Sequence, residues 1–422
     1  MTEEFLHHIW RTRQFNPANL RVTDGRALEI IYPGEHNIFS GPDFFNAKLR
    51  IGDQLWAGNV EIHVKASDWM KHRHQEDEAY GNVVLHVVYE ADREISARGN
   101  VLPALELKER VPGKLWTRYS EMRGSKDRLA CAGSMAGASS FTVAAMLGRA
   151  IVERLERKTD EIRTELLHSG NDWEETFYRR LAHRFGMNVN AEPFHRLALS
   201  LPFRLLMRHA DQPHQGEALL FGQAGLLDDA ATDAYMSDLQ REYRHLRKKY
   251  SLQSIETHAW KFMRLRPGNF PTLRISQLAA LLTQRTQLFR ACMEMKTAEE
   301  LEAFFDVQAS AYWDTHYRFR ISSKECVKRL GAQATDVILI NTVAPVKFLY
   351  GKMKKEERYC DEAIALLEEI NAEENSVTRL FSAQAMELRN SADTQGALEL
   401  KKNYCDRKRC LDCEIGRELL GR

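Results

Sequence analysis

The spacing of apolar residues changes once along the chain, and the change divides it. Between residues 27 and 107 apolar side chains come in short runs or at every second position, the period of a β-strand. Ala27 to Tyr32 reads as a strand stopped by Pro33-Gly34. Phe45, Ala47, Leu49 and Ile51 alternate with Asn46, Lys48 and Arg50, and Gly52-Asp53-Gln54 then turns the chain into Leu55 to Lys65, so these two segments read as a hairpin. Near the end of the second, Val60, Ile62 and Val64 fall on one face and Glu61, His63 and Lys65 on the other. Ala66 to Asn82 is polar, a loop or short helix. Val83 to Glu90 is nearly continuous in apolar and β-branched residues, as a strand buried on both faces would be, with His86 in its middle. Leu102 to Leu107 adds a last strand. Ahead of all these, Phe5, Leu6, Ile9 and Trp10 lie at helical spacing, closed by Asn16-Pro17.

Beyond Ser125 the period is helical. Leu147, Ile151, Leu155 and Ile162 set the pattern over 144–167, and similar patterns recur over 172–185, 194–208, 231–250, 275–295, 297–311 and 361–370. The fold class is therefore α+β: a small mixed sheet with its helices over residues 1–125, then a large, mostly α-helical domain over 126–422. There is no fixed-period repeat and no low-complexity linker.

Composition narrows the function. In 422 residues, 60 Lys and Arg balance 59 Asp and Glu, so affinity for nucleic acid has to come from local patches. The opening Met1 to Leu6 lacks a basic stretch followed by an apolar one, and no apolar run approaches the eighteen or so residues that span a bilayer. We expect a cytoplasmic protein with no membrane partner. Seven cysteines without a secretion signal argue for free thiols or metal ligands. No phosphate-binding Gly-x-x-x-x-Gly-Lys-Ser/Thr, no dinucleotide Gly-x-Gly-x-x-Gly after a strand and no Gly-x-Ser-x-Gly elbow is present, which removes support for nucleotide-driven motors, NAD enzymes and serine hydrolases.

Three ionisable groups opposite an apolar strand face must meet water or line a site. Asp43, Glu61 and a basic residue shortly after it supply what metal-dependent nucleases need: two carboxylates for a divalent cation and a cation to orient or activate water. Here the sequence resembles the PD-(D/E)XK nuclease superfamily, whose core runs helix, three strands, helix, strand. Gly41-Pro42-Asp43 and Glu61-Ile62-His63 stand in the places of its motif, and Glu29 matches an extra acid of some members. The resemblance implies a nuclease-like N-terminal domain using Mg or Mn to cleave DNA or RNA. Asp43 and Glu61 would hold the metal, Lys65 would orient the water, His63 would be a ligand or proton shuttle and Glu29 auxiliary. His63 occupies the lysine position of the motif, and Lys65 is one step further along the same face. The alternatives are a solvated strand face, or a catalytically inactive nucleic-acid-binding or scaffold protein.

End to end, the chain resembles a family of uncharacterised bacterial proteins, common among Bacteroidetes, defined as a domain of unknown function. The stretches that carry this are Gly41-Pro42-Asp43-Phe44, Gly58 to His63, Leu85 to Tyr89, Leu220 to Leu227, Arg266 to Pro271 and the cysteine-bearing end.

Other residues permit other chemistry. His63, His72, His74 and His86 with Asp77 could form a nitrogen-rich zinc or manganese centre, against the plainer expectation that His72 and His74 are exposed and idle and that His86 is a hydrogen-bonded core residue. Cys405, Cys410 and Cys413 could hold a structural zinc or an iron–sulfur cluster, with a fourth ligand from Cys360 or Cys326, or be packed reduced thiols. Between Arg241 and Arg274 nine cations face only Glu242 and Glu256. Arg244, Arg247, Lys248, Lys249, Lys261 and Arg264 would lie along a phosphate backbone while Tyr243, Tyr250, Trp260 and Phe262 stack on bases. The alternative is a solvated helix face with the aromatics in the core.

Overall fold

The computed structural model describes residues 1 to 421 apart from Arg98 and Thr232. It contains two compact units: residues 1–143 together with 402–422, and residues 144–401.

The first unit opens with helix α1 (Glu3–Thr12), where the Thr2 hydroxyl accepts the Phe5 N–H and Arg13 ends the helix in a left-handed conformation. Strands β1 (Leu28–Tyr32), β2 (Glu35–His36), β3 (Phe44–Ile51) and β4 (Gln54–Lys65) follow, then the short helix α2 (Asp68–Lys71) and strands β5 (Val83–Glu90), β6 (Ser96–Ala97), β7 (Asn100–Val101) and β8 (Ala104–Glu106). The main sheet runs β1-β3-β4-β5-β8, with β2 also paired to β3. β1, β3 and β4 are antiparallel, whereas β5 and β8 run parallel to β4. A parallel neighbour requires a crossover, and residues 66–82 supply it. Gly58 sets the approach of β5: a Cβ there would lie 2.5 Å from Val84 Cγ1 and 2.7 Å from the Asn82 carbonyl oxygen.

Val60 and Ile62 pack with Phe44 and Leu49 against Phe5, Leu6 and Ile9 of α1, so one face of β4 is core as its alternation requires. Helix α3 (Gly113–Gly124) and the terminal helix Glu414–Gly421 close this core through Leu115, Tyr119, Met122 and Leu420. That burial corrects the sequence-based division. Leu411 and Leu420 belong to the N-terminal core, so residues 402–422 fold with the first unit and not with the helical one, and the first unit extends to residue 143.

Among its described residues the second unit is mostly helical, with one short strand pair, His316–Arg318 and Ile321–Ser322. The pattern over 194–208 divides into Ala191–Ser200 and Phe203–Met207 around Pro202, and that over 275–295 into Pro271–Gln284 and Leu288–Glu294. Residues 332–354 form helix, π-turn and helix over Ala332–Ile338, Leu339–Val343 and Ala344–Lys354. Their burial on nearly every side leaves no amphipathic period to read. Among the described residues, no helix is long and apolar enough to cross a membrane.

Candidate metal centre

On the polar face of β4, Glu61 and His63 are as buried as the apolar residues beside them, at 4 % and 1 % exposed. The crossover covers it. Trp69, from α2, is buried and its ring meets His63, His86, His74 and Tyr80 edge-on at 5.3 to 6.5 Å between centroids, which anchors the polar segment over the strand. The next residues then bring His72 and His74 down onto the same patch.

Three imidazole nitrogens converge there, with a Glu61 oxygen beside two of them. His63 Nε2 lies 3.1 Å from His72 Nδ1 and 3.7 Å from Glu61 Oε1, and His74 Nε2 lies 3.3 Å from the same Glu61 oxygen. One ligand atom from each of His63, His72 and His74 falls within 4.8 Å of the others. Donors about 2.0–2.1 Å from a tetrahedral cation would be roughly 3.3–3.4 Å apart, so the His63–His72 and His74–Glu61 spacings are of that order, with the three imidazoles forming the mutually close set and Glu61 beside two of them. His74 Nε2 is shut off from solvent without an aligned hydrogen bond, as a ligand nitrogen awaiting a cation would be.

Electrostatics favour the ligand forms. Burial, then the neighbouring His86, His74 and His72, hold the His63 pKa down to about 2, so its imidazole is neutral and keeps a lone pair. The other ring nitrogen, Nδ1, is 2.8 Å from His86 Nε2, which fixes the ring. His86 is itself fully buried, and burial first and His74 next lower its pKa to about 3. Burial raises the Glu61 pKa, while His74 opposes the rise. A cation would offset that desolvation by favouring the ionised carboxylate. The Tyr80 ring stacks on His74 at 3.8 Å, and burial followed by the Glu61 charge pushes its hydroxyl up to about 12.

Asp43 braces this group. Its N–H donates to Glu61 Oε2 at 3.1 Å, its own Oδ2 accepts the Ile62 N–H at 2.9 Å, and His7 Nε2 of α1 lies 3.2 Å from that same Oδ2. The His36 ring stands 5.5 Å from His7. Six of the fifteen histidines therefore surround two carboxylates. His7 and His36 carry no spacing signal in the sequence, because α1 and β2 bring them in from elsewhere along the chain.

The loop before Asp43 is built and not slack. Asn37 Nδ2 donates to the carbonyls of Phe39, Ser40 and Pro42 at 3.0 to 3.2 Å, its Oδ1 accepts the Phe39 N–H at 2.8 Å, and Gly41 takes a φ of +102°. The loop holds Ile38 and Phe39 out in solvent, 78 % and 83 % exposed.

Several residues expected in the site lie elsewhere. Glu29 is paired with Arg50 at 3.0 Å on the solvent side of β1 and β3. Lys65 is exposed at the end of β4, beyond the cover of the crossover, with Nζ 3.9 Å from Glu90 Oε2. Asp77 caps a 3-10 turn by accepting the Ala79 N–H at 2.9 Å. His72 and His74, expected as an exposed and idle pair, join the cluster, with His72 exposed as expected.

At the carboxyl end, Cys410 and Cys413 are buried and Cys405 half-buried. The thiol that accompanies the last two is Cys131, which sequence reading did not select: burial, then the proximity of Cys413 and Cys410, pushes its pKa up to about 12. The expected fourth ligands Cys326 and Cys360 belong to the helical unit. Among the described residues the thiols do not gather into a set of three ligand atoms within 4.8 Å.

In the helical unit, Arg244, Arg247, Lys248, Lys249, Lys261 and Arg264 are all exposed. The aromatics between them are not a stacking platform. Tyr243 is buried with its hydroxyl on Gln223 Oε1 at 3.1 Å, and Trp260 donates to the Ala224 carbonyl at 2.8 Å, while Arg318 lies over Phe262. Met236, Leu239, Tyr243 and Leu246 form the buried stripe of the helix Ala234–Tyr250, which leaves its cations on the solvent face.

Comparison with known proteins gives a family and no activity. No curated protein and no solved structure matches the chain significantly. The chain belongs to the family described as "Protein of unknown function (DUF2851)", which it matches over residues 3–376.

Proposed function

We propose that the first unit is a divalent-metal-dependent phosphodiesterase acting on nucleic acid, with Glu61, His63, His72 and His74 holding the metal. The convergence of Glu61 Oε1 with His74 Nε2 at 3.3 Å and His63 Nε2 at 3.7 Å carries this reading. Three imidazoles and one carboxylate suit zinc or manganese better than magnesium, which prefers an all-oxygen shell. A metal held there would lower the pKa of water and offset charge on a phosphate.

The chain's own groups have defined parts. His86 fixes His63 through Nδ1. Asp43 accepts the Ile62 N–H and orients Glu61 through its own N–H, with His7 Nε2 3.2 Å from its Oδ2. Support for a phosphodiester substrate comes from the order helix α1, antiparallel β1, β3 and β4, a crossover carrying α2, and parallel β5, which, apart from the short β2, is similar to the order expected of the nuclease core that the sequence resembles. Ile38 and Phe39, exposed on the loop before Asp43, offer apolar surface to an unpaired base.

The test combines metal analysis with cleavage. Purified protein should contain about one zinc or manganese per chain, removed in Glu61→Gln and His74→Ala. Wild type should cleave labelled DNA or RNA when supplied with Mn or Zn, and Glu61→Gln should not. Metal bound without cleavage of either nucleic acid would leave a metal-stabilised binding or scaffold protein. Absence of metal in the wild type, together with no cleavage, would remove the reading.

A further inference from the structure

We propose that a second site in the first unit, a cavity of about 470 Å³ between the end of α1, the start of α3 and the terminal helix, binds the phosphate of a nucleotide. Four cations border it, Arg13, Arg110, Lys114 and Arg118, and among the described residues no carboxylate side chain lines it. Phe15 and Leu115 form part of an apolar floor.

The cations are placed but not neutralised. Arg110 donates to the carbonyls of Asn16, Ala18 and Asn19 at 2.9 to 3.2 Å, and Arg13 donates to that of Ile31 at 3.1 Å. These acceptors are neutral, so they fix the guanidinium planes and leave the charge. Neither these two nor Lys114 and Arg118 form an ion pair among the described residues. Four like charges around one concavity repel one another unless an anion enters.

The helix beside them has the same lack. Pro112 offers α3 no side-chain cap, and its first turn holds no acid but Lys114. A cation at a helix N-terminus opposes the helix dipole, where acids are the stabilising choice. An anion between Lys114 and the first N–H groups of α3 would satisfy both. The Gln14 side chain also lines the cavity. An amide and several guanidinium groups suit a phosphate ester, and the apolar floor with flat arginine planes suits a base. The cavity falls within the ~300–1,000 Å³ typical of small-molecule sites.

The nucleotide could be free or the end of a strand, and titration calorimetry on the full chain separates these. The ligands are inorganic phosphate, a nucleoside, its 5′-monophosphate, and a short oligonucleotide with either a 5′-phosphate or a 5′-hydroxyl. The monophosphate should bind and the nucleoside should not, with affinity falling as salt rises. Tighter binding of the 5′-phosphorylated strand than of the monophosphate identifies a strand end, and equal binding identifies the free nucleotide. The double variant Lys114→Gln, Arg118→Gln should weaken binding about tenfold or more, with Arg118→Lys retaining part of it. Circular dichroism checks that these surface changes leave the fold intact, and Arg13→Gln gives an independent variant on another element. Glu61→Gln protein should bind the monophosphate as wild type does. The proposal is overturned if no phosphate ligand binds at millimolar concentration, if the nucleoside binds as well as the monophosphate, if the double variant binds like wild type, or if Glu61→Gln abolishes binding.

Discussion

Asp43 and Glu61 are held crosswise: the Asp43 N–H donates to Glu61 Oε2 at 3.1 Å, while the Ile62 N–H next to Glu61 donates to Asp43 Oδ2 at 2.9 Å. Each carboxylate is thus an acceptor for the other's strand as well as part of a site. Asp43→Ala would leave the Ile62 N–H without that acceptor, at a cost of about 1–3 kcal/mol. Asp43→Asn keeps an acceptor oxygen and should lose less. Denaturant titrations of the two variants test the order, and equal stability of Asp43→Ala and wild type would show that the brace contributes nothing.

Metal removal should destabilise the wild type and not the ligand variants. A ligand present at one hundred times its dissociation constant stabilises the folded state by about 2.7 kcal/mol. Chelation should therefore lower the melting temperature of wild type, and zinc or manganese should restore it. Glu61→Gln and His74→Ala should melt at the same temperature with or without chelator. A wild-type melting curve indifferent to both treatments counts against the centre.

Lys65 and Glu29 provide the opposite expectation. Each lies in a solvent-facing ion pair, with Glu90 and Arg50 respectively, and such pairs contribute about 0–1 kcal/mol. Lys65→Ala and Glu29→Ala should keep full metal content and change any cleavage rate by less than about threefold, because neither group reaches the reacting centre. A loss of two or more orders of magnitude in Lys65→Ala would mean that the end of β4 closes over substrate.

The cysteines can be ranked by access. Cys326 is exposed, whereas Cys292 is fully buried, and burial pushes the Cys410 pKa up to about 11. Thiolate is the reactive form, so alkylation of native protein should label Cys326 first and Cys292, Cys410 and Cys413 only on unfolding. Metal analysis of His74→Ala, in which the histidine centre is lost, would reveal any zinc or iron that the thiols hold.

These outcomes follow the limits of what sequence periodicity encodes. Val60, Ile62 and Val64 opposite Glu61 and His63 were legible because a strand alternates, and the mixed sheet followed from an alternating hairpin ahead of the continuous run at Val83 to Glu90. The same alternation placed Lys65 beside Glu61, but it says which face a side chain takes and not where the cover over that face ends. His72 and His74 sit in a segment without a period, and what brings them in is Trp69, whose burial depends on tertiary packing. His7 reaches Asp43 from a helix more than thirty residues earlier. The terminal segment joined the first unit for a similar reason, since Leu411 and Leu420 mark an apolar face without naming the core that it joins.

The last prediction concerns acid and His8, on α1 away from the cluster. His8 is 2 % exposed, and its pKa is lowered to about 4, by burial first and then by Arg11 and Arg417, with Gln14 and Asp412 acting the other way. The unfolded chain binds that proton with a pKa of about 6.5, so between about pH 6.5 and 4 the unfolded state carries more protons than the folded one. Stability therefore rises with pH across this window. It is fully present above pH 6.5 and is lost as pH falls towards 4, by about 2–3 kcal/mol for this residue. His63 and His86 are also buried as neutral rings and add to the slope in the metal-free protein. His8→Gln should remove only the His8 part: the variant should lose less stability than wild type between pH 7 and 5. Hydrogen exchange at the α1 amides, corrected for intrinsic pH dependence, reads this locally, and identical pH slopes for the two proteins would show that His8 is not held neutral by the fold.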